Sequence, residues 1–314
     1  MRPSMRLLAL AALAWPTFAL ADPVGYAVGS GGDGFGGSSL LYRIDLANGQ
    51  STLVGPIGYL DVEGAALAPD GQLYAVADAG ALCEGACGSS DLLLRIDPAT
   101  GAGALVGPLG LAGQGSGGNL DYGLAFTCDG ALWLSSDTSG QLWQVDPSSG
   151  ATTLRANLGA PVSGLAGFGD TLYGISVADD QALYRIDTGT GAAERIGALG
   201  LPLPFYDAGL DVDASGQLWA TIDYFSPSDG LPPAERNDIA RIDRASGAAQ
   251  LVAPVSGAGS GIFTVQMEGL ALASGSGCGM PPAGAVVNVP VDRPLALLLL
   301  AGLLLGLAAL RLRS

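Results

Sequence analysis

The sequence contains neither histidine nor lysine among its 314 residues. Without histidine, the chain cannot build a Ser–His–Asp triad or a His-ligated zinc site. Without lysine, it lacks the P-loop, whose lysine contacts nucleotide phosphates. Charged residues make up only 13% of the chain and aromatic residues 6%. These absences exclude several common enzyme classes.

The charge that is present is mostly negative. All 13 basic residues are arginines, against 29 acidic residues, for a net charge of −16. Such a surface repels nucleic acid and attracts cations or basic partners; the alternative is that it serves only solubility. The 50 glycines and 19 prolines favour short strands joined by tight turns over long helices.

The N-terminus has the pattern of an export signal. Arg2 and Arg6 precede an apolar stretch, and Ala19–Ala21 fits a small-x-small cleavage site. We therefore predict a signal peptide over residues 1–21, so that the mature chain begins at Asp22 and is exported.

The C-terminus has the pattern of a membrane anchor. An apolar run, Leu295–Leu310, is followed at once by Arg311 and Arg313. It predicts a transmembrane helix within 291–314 whose end stays cytoplasmic, after a linker at 277–290. The arrangement resembles bacterial PEP-CTERM and IPTL-CTERM sorting signals, with 289–292 in the place of the motif. That resemblance implies tethering, a sorting protease and surface display; the alternative is an ordinary tail anchor.

Four cysteines in an exported chain predict disulfides, and four allow three pairings. Cys83 and Cys87 lie in one short segment and could close a small ring, which would leave Cys128 to pair with Cys278.

One phrase recurs five times along the chain. It reads LYRIDLANGQSTLVGPIG at 41–58, and the other copies lie at 93–110, 142–159, 183–200 and 239–257. Ahead of it lies a second pair of apolar stretches separated by a turn such as Asp-Gly, as in GAALAPDGQLYAVAD at 64–78. Each unit therefore predicts four antiparallel strands, a to d, with LYRID as strand c. Units of this length and content indicate propeller blades.

The first and last units are incomplete and complement each other. The chain starts with a strand b at 24–30 and ends its repeats with a strand a at 267–275. We predict an all-β, five-bladed propeller over 22–276, closed by pairing these two segments, which removes free sheet edges. The predicted blades are 25–58 with 269–273, 64–110, 123–159, 164–200 and 209–254. The repeats resemble those of secreted bacterial "LYRIDPATG" propellers, a domain of unknown function, over residues 24–275. That resemblance implies the fold and no activity.

An aspartate ends strand c in every unit, and a glycine follows four residues later. The pairs begin at positions 45, 97, 146, 187 and 243. We interpret this row as structural, because an aspartate carboxylate accepts backbone N–H groups in such turns and glycine supplies the positive φ.

A second acidic row is the candidate site. Four of the five strands a place a carboxylate within two residues of a shared glycine, and these carboxylates belong to Glu63, Asp121, Asp207 and Glu268. Because the inner strands of a propeller start at one mouth, we expect the four to converge there. Hard oxygen donors without His or Cys favour Ca²⁺, so we predict a calcium site. The alternative is a solvated acidic rim without metal.

Two of these carboxylates support the calcium prediction through a resemblance. Glu63-Gly64 and Glu268-Gly269 resemble the calcium-binding Glu-Gly of gluconolactonase and paraoxonase propellers. The resemblance implies a ligand role for the two glutamates. It implies no reaction, because those families have six blades and the rest of their catalytic set is not visible here.

The long insertions between b and c and between d and a are predicted on the same face, with Tyr122, Phe205, Tyr206, Tyr224 and Phe225 near them. These aromatic side chains could read a ligand or only pack. We therefore predict a non-catalytic, exported, membrane-tethered binding propeller for an unidentified glycan, peptide or protein. The alternative is a secreted carboxylate hydrolase or lactonase using the same mouth.

Overall fold

The computed structural model describes residues 23–29, 37–77, 90–112, 121–224, 237–258 and 266–273. They form strands joined by turns, with a single 3₁₀ turn at Ala178–Asp180 among the described residues. The strands are β1 Val24–Gly29, β2 Leu40–Asp45, β3 Gln50–Pro56, β4 Val62–Leu67, β5 Leu73–Ala77, β6 Ser90–Ile96, β7 Gly103–Ala112, β8 Tyr122–Phe126, β9 Leu132–Ser136, β10 Gln141–Val145, β11 Thr152–Asn157, β12 Val162–Phe168, β13 Thr171–Ser176, β14 Ala182–Asp187, β15 Ala193–Ala198, β16 Asp207–Val212, β17 Leu218–Asp223, β18 Asn237–Ile242, β19 Ala249–Pro254, β20 Ser256–Ala258 and β21 Met267–Leu272.

These strands build five antiparallel blades. Blades 2 to 5 are β4–β7, β8–β11, β12–β15 and β16–β19, each in chain order from the inner to the outer strand. Blade 1 takes β21 as its inner strand, followed by β1, β2 and β3. The predicted five-bladed, four-stranded propeller closed by its terminal strands is therefore confirmed.

In the described residues closure involves two strand pairings, of which the sequence predicted one. The predicted contact pairs β1 with β21, placing Ala27 opposite Leu270 and Val28 opposite Gly269. The second is β20, which leaves blade 5 and adds a short parallel strand to β3 at the outer edge of blade 1. Ser256 N donates to Gly49 O at 2.9 Å there. The closing seam is thus held at its inner and its outer edge.

The aspartates that end strand c have the structural role predicted for them. In blade 1, Asp45 Oδ1 accepts from Ala47 N at 2.9 Å, and Gly49 adopts φ 74°. The same turn packs against the neighbouring blade: a Cβ on Gly107 of β7 would lie 2.0 Å from Ser149 O of the blade 3 turn. The recurrent Asp and Gly therefore cap a turn and let adjacent blades approach closely.

Several sequence predictions fall outside the described residues: the signal peptide at 1–21, the linker at 277–290 and the anchor at 291–314. Within the described part of the chain, no helix is long and apolar enough to cross a membrane. Cys128 forms a disulfide, and Cys83, Cys87 and Cys278 lie outside the described residues, so the pairing stays a prediction.

Candidate functional site

The inner strands of all five blades begin at one mouth of the propeller and cross a ring of glycines just inside it. A Cβ on Gly64 would lie 2.4 Å from Tyr122 O of the next blade, and a Cβ on Gly164 would lie 2.4 Å from Ala208 O. The ring consists of Gly64, Gly123, Gly164, Gly209 and Gly269, and each packs in this way against the following inner strand. Glycine is required because any side chain would force the strands apart.

The glycine ring closes the centre of the propeller. The space between the inner strands at this ring is too narrow for a water molecule. The sequence predicted a central channel lined by strand a; in the described residues that channel is sealed at the ring. We call the acidic mouth formed by Glu63, Asp121, Asp207 and Glu268 the pit.

The structure brings the four predicted carboxylates together at this pit. Glu63, Asp207 and Glu268 are buried, with exposed fractions of 4%, 5% and 7%. The charges of Asp121 and Glu268 raise the pKa of Glu63, and Asp207 acts in the same way on Asp121 and on Glu268. The predicted convergence of the four side chains is thus found in the fold.

Three further carboxylates belong to the same cluster and were not predicted: Asp61, Asp137 and Asp223. Each contributes to the raised pKa of at least one predicted residue. Asp137 follows strand b of blade 3 and Asp223 ends strand b of blade 5, where the antiparallel ladder pairs it with Asp207. The signal was available, because strand b of each blade ends beside the start of strand a.

Burial is the largest cause of the raised pKa values in the pit. Desolvation raises the pKa of Glu63, Asp121, Asp207 and Glu268 well above the ordinary range, and repulsion among the carboxylates raises them further. Asp137, hydrogen-bonded to Asp121, also has a raised pKa because of burial. The burial and mutual repulsion of these carboxylates therefore disfavour full ionisation of the pit.

Two carboxylate oxygens in the pit have no hydrogen-bond partner among the described residues. They are Oε2 of Glu268 and Oδ2 of Asp207. Ser163 lies beside Asp207 and lowers its pKa without completing a hydrogen bond of good geometry. By contrast, Glu63 Oε2 accepts from Tyr122 N at 3.1 Å. Buried carboxylate oxygens left without a donor are costly, so a ligand that pairs with them is favoured.

No arginine among the described residues forms an ion pair with the pit. The ion pairs found among the described residues are Arg185–Glu194 and Arg195–Asp180, and both are partly exposed and lie in blade 4, away from the pit carboxylates. Also within the described residues, no three carboxylates are grouped as a metal-ligand shell. A metal ion would therefore have to draw the side chains closer or bind some of them through water.

The backbone at the mouth carries local strain. Asp61 and Asp121 have φ 48° and 46°, the left-handed region that side chains other than glycine seldom adopt. Each stands directly before an inner strand of the pit. Such conformations cluster at functional sites, and here they place two carboxylates at the entrance.

The aromatic side chains near this face are mostly packing elements. Tyr122, Phe205 and Tyr224 are buried, with exposed fractions of 2%, 1% and 4%, so these three follow the packing alternative. Each belongs to a hydrophobic core cluster of the blades. Tyr206 is 40% exposed, and Phe225 lies outside the described residues.

The repeat itself matches a known family model, described as a repeat of unknown function (DUF6923), over residues 64–221, half of the chain. The chain belongs to the DUF6923 repeat family. The matched residues span blades 2 to 4 and part of blade 5, so the family definition includes the inner-strand starts that carry Asp121 and Asp207. Comparison with curated proteins finds no significant match.

Solved propeller structures show distant similarity. TolB from Acinetobacter baumannii has 15% identity and a TM-score of 0.45, covering 80% of this chain and 66% of that chain. A nidogen/laminin complex has 12% identity and a TM-score of 0.47, covering 80% of this chain and 98% of that chain. Regucalcin, a calcium-binding protein from Agrobacterium tumefaciens, has 20% identity and a TM-score of 0.39, covering 72% of this chain and 73% of that chain. At these identities nothing about function carries over to this DUF6923 member.

Proposed function

We propose that this DUF6923 propeller is an exported binding protein, tethered to the membrane or displayed at the surface, whose acidic pit binds a divalent cation. The candidate metal is Ca²⁺, with Glu63, Asp121, Asp207 and Glu268 as ligands. Export rests on the signal-like residues 1–21 and tethering on the anchor-like residues 291–314. A sorting protease acting on the C-terminal segment is part of the same proposal.

The cation proposal is carried by two buried oxygens, Glu268 Oε2 and Asp207 Oδ2, which have no hydrogen-bond partner in the part of the chain that the structure describes. They lie among carboxylates that repel one another, and no arginine of the described residues pairs with them. A cation would satisfy the oxygens and cancel the repulsion together. Ca²⁺ suits the site best because it accepts six to eight oxygen ligands in flexible geometry and tolerates water among them.

The test is thermal unfolding with Ca²⁺ and with a chelator, combined with titration calorimetry. Ca²⁺ should raise Tm by mass action, since it binds the folded state. Glu268→Gln should remove most of that shift, whereas Glu194→Gln, which alters an exposed glutamate of blade 4, should leave it unchanged. An equal Tm in Ca²⁺ and in chelator for the wild type would remove the metal from the proposal.

The predicted location has its own test. Removal of residues 1–21 should keep the protein in the cytoplasm, and removal of 291–314 should release it from the membrane fraction in exported form. Membrane association that survives loss of the C-terminal segment would contradict the tether.

A carboxylate hydrolase remains the second candidate because of one observation. Asp121 and Asp137 share a hydrogen bond between carboxyl groups, and such a pair can supply both an acid and a base. Turnover on a panel of glycans and lactones, abolished by Asp137→Asn, would favour this candidate; a wild type without turnover would leave binding as the function.

A further inference from the structure

The residue directly before the core of strand c occupies an equivalent place in every blade. Repeat alignment assigns this position to Ser39, Asp91, Gly140, Gln181 and Asn237. The backbone supports the equivalence. Its carbonyl accepts the N–H of the residue that follows strand d in the same blade in four cases: Ile57 to Ser39 (2.8 Å), Leu158 to Gly140 (2.7 Å), Leu199 to Gln181 (3.0 Å) and Val255 to Asn237 (2.7 Å).

In four of the five blades, this side chain crosses the seam to the next blade. Ser39 Oγ accepts from Val62 N at 2.9 Å, and Asn237 Oδ1 accepts from Met267 N at 3.2 Å. The other two contacts are the Tyr122 hydroxyl donating to Asp91 Oδ2 at 2.6 Å and Gln181 Nε2 donating to Phe205 O at 3.1 Å. We call Ser39, Asp91, Gln181 and Asn237 the seam residues.

Each seam contact is made with a residue that is close in sequence to a candidate ligand. The contacted residue is one or two positions from the carboxylate in all four cases: Val62 beside Glu63, Tyr122 beside Asp121, Phe205 near Asp207, and Met267 beside Glu268.

The remaining seam, between blades 3 and 4, is the exception on both sides. Its equivalent position is Gly140, which has no side chain to cross the seam. The inner strand it would reach carries Ser163 in place of a carboxylate. Seam contacts and pit carboxylates thus occur together and are missing together.

Packing alone does not explain polar residues at these places. Ser39, Asp91 and Asn237 are 0%, 1% and 3% exposed. Apolar side chains would also fill such positions, but they would leave Val62 N and Met267 N without these acceptors. What the polar residues add is direction, because a hydrogen bond fixes where the neighbouring strand begins.

We propose that the four seam residues are positioning residues, which hold the starts of the inner strands so that the four candidate ligands stay together in the pit. The inference rests on the proposed cation site. Outer residues that orient metal ligands contribute strongly to affinity, and losing one typically costs 10- to 100-fold. Without them, mutual repulsion would move the carboxylates apart.

The experiment measures Ca²⁺ affinity by calorimetry on the full chain and two seam variants. Ser39→Ala removes the acceptor for Val62 N, and Gln181→Ala removes the donor to Phe205 O from a partly exposed position that better tolerates truncation. Ser38→Ala is the matched control: Ser38 Oγ accepts from Gly58 N at 2.7 Å, in the loop ahead of the inner strand. Tm is recorded for every variant.

We expect both seam variants to bind Ca²⁺ about tenfold more weakly, while Ser38→Ala binds as the wild type does even where its Tm falls. Seam variants that match the wild type, or three variants weakened equally, would overturn the positioning role. If Ser39→Ala does not fold, Gln181→Ala decides alone. A wild type that binds no Ca²⁺ would instead overturn the proposed function, and the role of the seam residues with it.

Discussion

Asp207 and Asp223 are register partners in neighbouring strands of blade 5, and both are buried. Directly opposed residues of a ladder have Cβ atoms about 5 Å apart, so like charges there repel. Asp223 accordingly contributes to the raised pKa of Asp207. The fold retains a repulsive pair at the edge of its pit, which is the arrangement expected where a cation separates the two charges.

Asp223→Asn should therefore stabilise the metal-free protein and weaken Ca²⁺ binding. The expected gain is about 1 kcal/mol at pH 8 in chelator, the upper range for one opposed like-charge pair. Denaturant unfolding in chelator and in Ca²⁺ checks it. Asp170→Asn, at an exposed aspartate of blade 4, is the control and should change neither quantity; destabilisation by Asp223→Asn in chelator would contradict the repulsion.

The glycine ring predicts a steric effect that can be separated from backbone conformation. Gly164 is extended, and a Cβ there would lie 2.4 Å from Ala208 O, whereas Gly159 has φ 67° and open space around it. Gly164→Ala should cost about 3 kcal/mol by overpacking, and Gly159→Ala about 1 kcal/mol by its left-handed conformation alone. Urea unfolding compares them. Equal losses would mean that the inner strands separate easily.

The sequence predicted the blades because every unit repeats the same letters at strand c and its turn. It predicted the pit because, in four blades, a carboxylate lies within two residues of the glycine that the inner strands share. That glycine recurs because the backbone there contacts the next blade, and this contact is visible only in the closed ring. Asp137 and Asp223 were missed for a related reason: their place follows from antiparallel register between strands b and a.

The seam residues could not be found from the repeat pattern. Their position is occupied by Ser, Asp, Gly, Gln and Asn in the five blades, so no letter recurs. Their common role depends on which strand lies across the seam, and the partner is a backbone group in three of the four contacts. Hydrogen bonds to backbone leave little trace in the identity of the contacted residue.

Asp211 predicts a pH dependence at the closing seam. It lies on β16, and its Oδ2 accepts from Leu272 N of the closing strand β21 at 2.7 Å, while Oδ1 accepts from its own neighbour Val212 N. Burial raises its pKa to about 7, against the stabilising effect of these two hydrogen bonds. An aspartate in an unfolded chain has a pKa of about 3.9.

The folded state therefore holds a proton on Asp211 that the unfolded state has already released between about pH 4 and pH 7. Stability from this group is complete below about pH 4 and is lost as the pH rises through 7.

Asp211→Asn cannot titrate, so the difference in unfolding free energy between wild type and variant should favour the wild type most at pH 4 and shrink steadily toward pH 8. Solvent screening reduces the change, because part of the residue surface is accessible. Taking the difference at each pH cancels the titration of the pit, which both proteins share, and chelator keeps metal out of the comparison. A difference that is constant from pH 4 to pH 8 would show that Asp211 is ionised throughout, and that the closing strand is held equally at every pH.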